Sequence, residues 1–481
     1  MNMTNLNNVG NSAVQITVKM GLLILLFLFL LIPVSFINSL GEEREERAKR
    51  AAREVIDGVG GEFEMIGPVL VIPYKATKEE SFLSEEDGWK LKKSETSGEF
   101  YSLPESVEIE GRVEAEERQR GIYSTPIYRA AITVKGRFII PDNSIFPEGT
   151  QMQLNRSRLI ADIPDVRGIR ELSELQWGES RHPFTPDSSA STAGSGIAAG
   201  RLGLGVPGQS LSFSWNMVID GGGSIAITPL GRDATLTLSG DWPSPSFKGA
   251  RLPDERQWDD TGFNARWRIP EVSRAIQPYG KIENLLAAVF NLEGEEEMKR
   301  PRYASWDYSG LSVHALAVEL LDTVNTYTKF ERSLKYSFLF LVVPFIILFL
   351  IEVLGGQRVH LVQYLLVGTV DLVFYLLLLS LSEHLGFDYA YLLAAMSAGV
   401  LLSFYILSST GARLAVPVIP LVIGAVYFWL WVTLRSKDYA LLIGSIGLFF
   451  ILAIVMILTR KVDYWRYASQ FKTVENDESD P

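Results

Sequence analysis

The chain has 481 residues, of which 47% are hydrophobic and 21% are charged; it contains no Cys, and its formal net charge is −11. Its mean hydropathy of +0.14 results from long apolar runs near the start and in the last third. This composition excludes a purely soluble, a disordered or a disulfide-stabilised secreted protein. It also excludes thiolate chemistry and argues against nucleic-acid binding.

The first apolar run predicts a transmembrane anchor over residues 20–40. A stretch of 22 uncharged residues, rich in Leu, Phe and Ile, separates Lys19 from Glu42, and about 20 apolar residues suffice for a helix to cross the bilayer core. The run is longer than the apolar region of a cleaved signal peptide, and its end matches a cleavage site poorly. We therefore expect residues 1–19 in the cytoplasm, followed by an uncleaved signal anchor.

Residues 41–334 form one polar block that carries all of the net negative charge. The block opens with a helical pattern over residues 42–56, where acidic and basic side chains recur at i,i+4 spacing. This pattern predicts a solvated stalk that continues the anchor. A regulatory coiled coil is the alternative, but the segment has no heptad repeat. The whole block is long enough for one or two hydrophobic cores.

Short alternating runs, separated by Gly and Pro, follow the stalk and predict a β-rich, antiparallel, sandwich-like domain. The runs are 69–73, 107–113, 130–140, 211–219, 224–228, 235–238 and 263–269. The polar stretches 78–99 and 186–208 are interpreted as mobile insertions. Gly221–Gly223, between two runs, is interpreted as a hairpin turn.

Five apolar runs in the last third predict a bundle of five transmembrane helices over residues 335–460. Their approximate limits are 335–353, 361–382, 390–408, 415–434 and 439–459. The connections are short, so neighbouring helices should run antiparallel. In the third run, Ala395, Gly399 and Ser403 recur at i,i+4 spacing and predict close helix packing.

The distribution of Lys and Arg predicts the orientation of these six spans. If both termini are cytoplasmic, the two inner short loops, Arg460 and the tail, residues 461–481, hold six basic residues, and the two outer short loops hold two. The anchor does not follow this distribution, because more basic residues come after it than before it. A long following domain, however, crosses the membrane largely regardless of its charge. We therefore expect both termini in the cytoplasm and residues 41–334 on the far side.

Motifs for catalysis or cofactor binding are mostly absent from the sequence. Gly203, Gly205 and Gly208 spell G-x-G-x-x-G, but Pro207 lies within the motif and its flanks are rich in Ser, Gly and Ala, which favours a plain loop. The four His residues are too far apart in the sequence for a helical metal site. We expect no catalytic residue, no metal and no cofactor.

The candidate functional residues are ionisable residues of the membrane region. They are Glu352, Asp371, Glu383 and His384. Asp371 falls in mid-helix, where an ionised carboxylate costs about 2.5–3.5 kcal/mol on insertion scales. In one interpretation these residues belong to a proton or ion path. In the other, which we favour, hydroxyls such as those of Ser403 or Tyr405 hold Asp371, and the remaining three anchor the ends of helices.

Six segments of the chain carry a resemblance to a known protein family. They are Arg120–Tyr128, Trp242–Phe247, Gly262–Ala265, Glu331–Tyr336, Ile351–Leu354 and Val359–His384. With them, the chain resembles the CreD family of bacterial inner-membrane proteins from about residue 18 to residue 460. The resemblance implies an N-terminal anchor, a large periplasmic domain and a C-terminal bundle in the inner membrane. It also implies a link to two-component envelope-stress signalling and to colicin tolerance.

The resemblance supplies no catalytic residues, and Asp371 departs from the small or apolar residue expected there. We predict a non-enzymatic protein that supports envelope integrity or the envelope-stress response by binding through its periplasmic domain. The expected partners are membrane lipid and an envelope protein or peptidoglycan-related component, without nucleic acid. The alternative is a transporter or channel for an ion or small solute that uses Asp371. Intramembrane hydrolysis is a poor third hypothesis, because no catalytic dyad signature is present.

Overall fold

A computed structural model describes ten stretches of the chain. They are residues 3–84, 88–142, 150–187, 196–273, 276–290, 313–320, 326–355, 359–410, 418–436 and 439–460. The tail predicted at 461–481 lies outside them. The chain divides into two compact units. We call Met1–Lys49 with Val324–Pro481 the bundle unit, and Arg50–Thr323 the β unit.

The helices are numbered along the chain. They are α1 (Met3–Val59), α2 (Ile282–Phe290), α3 (Thr326–Lys335), α4 (Ser337–Gly355), α5 (Leu361–Leu385), α6 (Phe387–Thr410), α7 (Val418–Arg435) and α8 (Ala440–Thr459). α1 continues without interruption through 42–56. There, Arg47 pairs with Glu43 at 2.5 Å and Lys49 pairs with Glu45 at 3.1 Å, at the i,i+4 spacing read from the sequence.

By length and composition, four helices of the described chain could cross a membrane. Their candidate spans are Val18–Val59, Leu361–Leu385, Phe387–Ser409 and Val418–Arg435. Two more helices, α4 and α8, contain the shorter apolar stretches Leu341–Glu352 and Leu442–Ile457. The structure thus has an N-terminal apolar helix and C-terminal apolar helices, as predicted, but four candidate spans instead of six.

The described residues of the β unit form nineteen strands in two sheets. Sheet A has β1 (Phe63–Ser84), β2 (Gly88–Ser102), β5 (Thr150–Met152), β6 (Arg158–Asp162), β10 (Phe184–Pro186), β11 (Gly196–Gly200), β13 (Ser224–Pro229), β15 (Pro245–Gly249), β18 (Tyr279–Lys281) and β19 (Leu316–Leu320). Sheet B has β3 (Ser106–Arg120), β4 (Tyr123–Ile139), β7 (Ile169–Leu172), β8 (Leu175–Trp177), β9 (Ser180–His182), β12 (Ser210–Gly222), β14 (Asp233–Gly240), β16 (Glu255–Asp259) and β17 (Gly262–Ile269).

The two sheets share one hydrophobic core. Leu70 and Ile227 of sheet A belong to the same buried cluster as Ile109 and Trp215 of sheet B. Alternation along β3 and its neighbours directs one set of side chains into this core and the other set to the outer face of sheet B. The other face of sheet A packs against α2 in a second, smaller cluster. The prediction of a β-rich, sandwich-like domain is therefore confirmed.

The prediction of antiparallel pairing is wrong for two strand pairs of the described β unit. β1 pairs with β13, and β14 pairs with β3, in parallel register. Parallel partners need a crossover between them. Here the crossovers arise because the chain moves between the sheets, as from β12 of sheet B to β13 of sheet A.

The glycine run of residues 221–223 lies at this change of sheet and is not a hairpin turn. Gly221 and Gly222 still pair with β4 at the end of β12, whereas β13 pairs with β1 and β19. Gly223 adopts a φ of +72°, which a residue with a side chain rarely adopts. The sequence pattern of two strands flanking glycines is the same for a hairpin and for this connection between sheets.

Both polar stretches predicted as insertions contribute strands. Within 78–99, β1 and β2 pair continuously out to Ser84 and Gly88, which makes this stretch the outer part of a long hairpin. Within 186–208, residues 188–195 lie outside the described part, and β11 pairs with β6 and β10. The G-x-G-x-x-G spelling falls in the loop between β11 and β12, as predicted.

Candidate functional site

The buried carboxylates of the bundle unit have different surroundings. Glu352, near the end of α4, has a side chain that is only 3% exposed. It pairs with Lys19 of α1, and Oε2 accepts a hydrogen bond of 3.1 Å from the Tyr364 hydroxyl of α5. The Lys19 ammonium also donates to the carbonyl oxygen of Val359 at 2.9 Å. We call these residues the Glu352 cluster.

The second cluster lies at the other end of the helices. Glu383 of α5 pairs with Arg44 of α1 at 3.7 Å and accepts a hydrogen bond of 3.0 Å from the Tyr327 hydroxyl of α3. Lys19 and Arg44 are about 37 Å apart along the axis of α1. The Glu352 and Glu383 clusters therefore hold α1 at two distant points, each with one cation of α1 and one tyrosine of another helix.

Asp371 lies between these clusters, in the middle of α5. The residue is 1% exposed, and Oδ1 accepts a hydrogen bond of 3.2 Å from the Tyr427 hydroxyl of α7. Oδ2 is buried and has no hydrogen-bond partner within the described part of the chain. The hydroxyl partner is therefore Tyr427, and the expected partners Ser403 and Tyr405 are not hydrogen-bonded to Asp371. Asp371 also differs from the two glutamates in that none of the described cations pairs with it.

Aromatic side chains pack around Tyr427, the hydrogen-bond partner of Asp371. Tyr391 of α6 donates a hydrogen bond of 2.7 Å to the carbonyl oxygen of Tyr427. The ring of Phe374 packs edge-on against the rings of Tyr375, Tyr391 and Tyr427, with centroids 4.9–5.7 Å apart. This packing fixes the Tyr427 ring and so holds its hydroxyl near Asp371.

The four candidate residues do not form one site. Glu352 and Glu383 belong to separate clusters, and Asp371 is about 18 Å from Glu383 along α5. His384 follows Glu383 directly but is exposed. Sequence reasoning missed the partners Lys19, Arg44 and the three tyrosines, because only the packing of the helices brings them to the carboxylates.

The β unit has its own candidate surface, a groove of about 920 Å³ on the outer face of sheet B. Strand register aligns six of its side chains in one row across six strands. In order across the sheet they are Arg268, Thr235, Glu108, Lys135, Ser214 and Gln176. We call this line the polar row. Neighbouring strands lie about 4.8 Å apart, so the row is about 24 Å long.

Charge pairing orders the centre of the polar row. Lys135 lies 3.1 Å from Glu110 and 3.3 Å from Glu108. Hydrogen bonds to Glu110 and Glu108 raise the pKa of Lys135 above its ordinary value, so its ammonium stays charged. Because these groups are solvent-exposed, the pairs contribute little to stability. They instead present both signs of charge beside hydroxyl and amide groups.

The family model and the curated relative identify the same family. The family model described as "Inner membrane protein CreD" matches residues 15–465. The Inner membrane protein CreD of Escherichia coli (strain K12) is 28% identical over 449 residues, which cover 92% of this chain and 92% of that protein. A mutant M1 zinc metallopeptidase from Deinococcus radiodurans shares 11% identity over 35% of this chain and 39% of its own, with a TM-score of 0.21, which is too low to support an argument.

Replacement of Glu352 by Gln should loosen α1, because the Lys19 ammonium loses its buried counter-charge. We expect a loss of about 1–3 kcal/mol in the free energy of unfolding, less than for a fully buried pair because Lys19 is partly exposed. The measurement is equilibrium unfolding of the whole chain by sodium dodecyl sulfate. The matched control is Glu331→Gln, which removes an exposed i,i+4 pair with Lys335 and should change stability by less than about 0.5 kcal/mol. If the two variants changed stability equally, the pair of Lys19 with Glu352 would not hold α1 in place.

Proposed function

The chain belongs to the CreD family of inner membrane proteins, and from this premise we propose that it supports the integrity of the cell envelope by binding an envelope component with its β unit. The binding is non-enzymatic. The family and the Escherichia coli relative are named for their place in the inner membrane and not for a reaction. The polar row across sheet B is the observation that carries this proposal.

In this proposal the chain crosses the membrane six times, with α4 and α8 completing the bundle. Both helices are apolar over most of their length, and Lys19 neutralises the one carboxylate in α4. Both termini are cytoplasmic, and residues 41–334 lie in the periplasm. The excess of Lys and Arg in the inner loops and tail supports this orientation.

The chemistry of the polar row fits a peptidoglycan-related ligand. Arg268 and Lys135 supply cations, Glu108 supplies an anion, and Thr235, Ser214 and Gln176 supply neutral hydrogen-bonding groups. Peptidoglycan fragments combine sugar hydroxyls with peptide carboxylates and amines, so each class of group on the ligand has a complement in the row. The row length of about 24 Å suits an extended fragment with both a sugar and a peptide part.

A transporter or channel is the second candidate function, and Asp371 is the observation that favours it. A buried carboxylate oxygen without a partner in the described residues is costly in an apolar bundle. Ionisable groups at such positions often belong to ion or proton paths. In this candidate, Asp371 exchanges a proton or cation, and Tyr427 orients its carboxylate.

The orientation can be tested by cysteine labelling, because the chain has no Cys and each introduced thiol is unique. Ser180→Cys, at the exposed start of β9, should react with a membrane-impermeant maleimide in intact spheroplasts. Ser469→Cys, in the tail, should react only after lysis. Labelling of Ser180→Cys only after lysis would overturn the periplasmic placement.

The ligand-binding proposal predicts that a large side chain in the groove blocks binding. Ser212 lines the groove next to the polar row and is exposed, so Ser212→Trp should fill it without disturbing the core. We expect at least a tenfold loss of affinity for purified disaccharide-peptide fragments of peptidoglycan. The measurement is equilibrium binding to the whole chain in lipid nanodiscs.

Ser180→Trp is the matched control, since Ser180 is exposed on the same sheet outside the groove. It should bind the fragments like the unmodified chain. If the unmodified chain fails to bind, or if Ser212→Trp binds equally well, the proposed ligand or its site is wrong.

The transport candidate predicts loss of flux on replacement of Asp371 by Asn, which keeps the side-chain shape and an acceptor for Tyr427 but removes the charge. Proton or cation flux in vesicles that contain the whole chain should fall at least tenfold. Asp388→Asn, an exposed change at the start of α6, is the control and should leave flux unchanged. Flux that is unaffected by Asp371→Asn would eliminate this candidate.

A further inference from the structure

The surface between α6 and α7 contains a groove of about 680 Å³. Its lining is almost wholly apolar and includes Leu392, Met396, Val400, Ile423, Phe428 and Trp431. Leu392, Met396, Val400 and Phe428 are also exposed, so they form an open rim instead of closing over the groove. A volume of this size is typical of sites for small molecules and cofactors. We call it the α6–α7 groove.

Small residues on both helices create the α6–α7 groove. Ala395, Gly399 and Ser403 line it from α6, and Gly424 lines it from α7. A Cβ atom added at Gly424 would have no heavy atom within 4 Å, which shows that this part of the groove is open. The i,i+4 stripe of α6 therefore does more than bring two helices together, because an unfilled channel remains beside it.

A cation marks one end of the groove. Trp431 is a lining residue, and the guanidinium of Arg435 lies 4.9 Å from the centroid of its ring, one turn farther along α7. Arg435 is exposed, and among the described residues it forms no ion pair. Arginine is well suited to bind phosphate, because its planar guanidinium donates paired hydrogen bonds to phosphate oxygens. An aromatic ring with a neighbouring cation is also typical of the headgroup level of a membrane.

We propose that the α6–α7 groove is a specific binding site for one anionic phospholipid. An acyl chain occupies the apolar channel beside Gly399 and Gly424, and the phosphate of the headgroup binds Arg435. Charge complementarity at one end and an apolar channel along the rest select an amphipathic anion over a free phosphate or a neutral lipid. The site is independent of the proposed ligand of the β unit, since it uses no residue of the polar row.

The experiment measures lipid retained by the purified whole chain, using native mass spectrometry in detergent. The probes are 1-palmitoyl-2-oleoyl phosphatidylglycerol, the zwitterionic phosphatidylethanolamine with the same chains, the diacylglycerol without phosphate, and glycerol phosphate without chains. We expect one phosphatidylglycerol bound more tightly than each of the other three probes. Arg435→Gln should weaken phosphatidylglycerol binding about fivefold, the effect of roughly one cation at a membrane surface.

Two matched pairs of variants separate the parts of the site. Gly424→Phe fills the channel and should abolish the bound lipid, whereas Gly21→Phe, a change at another helical glycine with no heavy atom nearby, should not. Arg460→Gln removes an exposed arginine just after α8 and should leave binding unchanged. Monodisperse elution of each variant shows that it has folded.

Three outcomes would overturn the proposal. In the first, Gly424→Phe and the unmodified chain retain phosphatidylglycerol equally. In the second, the phosphate-free lipid binds as well as phosphatidylglycerol, which leaves Arg435 without a role. In the third, the unmodified chain is a dimer that Gly424→Phe dissociates without any change in bound lipid, so that a second copy and not a lipid occupies the groove.

Discussion

A carboxylate buried among apolar helices requires a partner, and this constraint determines how α1 associates with the rest of the bundle unit. Apolar contacts such as those of Leu26 and Leu30 favour the association. Within a membrane, however, lipid tails contact the same side chains almost as well, so apolar contacts define the register of a helix poorly. The pairs of Lys19 with Glu352 and of Arg44 with Glu383 define it by charge at two points. Rotation or sliding of α1 would leave both carboxylates without their cations.

The parts of the fold that depend on local periodicity could be predicted from the sequence. Long uncharged runs indicated the apolar helices, and alternation along segments such as 107–113 indicated the strands of the sandwich. Features that depend on long-range pairing could not be predicted. Parallel pairing of β1 with β13 joins segments about 160 residues apart, and no local pattern distinguishes it from antiparallel pairing. The connection between the sheets at Gly223 could not be predicted either, because its local sequence pattern is the same as that of a hairpin.

The candidate surfaces were even less accessible to sequence reasoning than the fold. The polar row takes one residue from each of six strands between Glu108 and Arg268, and only the combined register of the sheet aligns them. Each of these residues, taken alone, is an ordinary outward-facing position of a strand. Similarly, the acidic residues of the bundle could be identified from hydropathy, but their partners could not. The rotation of α7 about its own axis directs Tyr427 to Asp371, and packing rather than composition determines that rotation.

The partners of the three carboxylates distinguish two that stabilise the bundle from one that is available for a function. Glu352 and Glu383 each have a cation and a tyrosine, which is the arrangement expected of structural groups. Asp371 has one tyrosine hydroxyl and an oxygen without a partner in the described residues. Tyr427 also lines the α6–α7 groove. Tyr427 is therefore the side chain through which a ligand could reach Asp371: displacement of its ring from the groove would remove the hydrogen bond to this carboxylate.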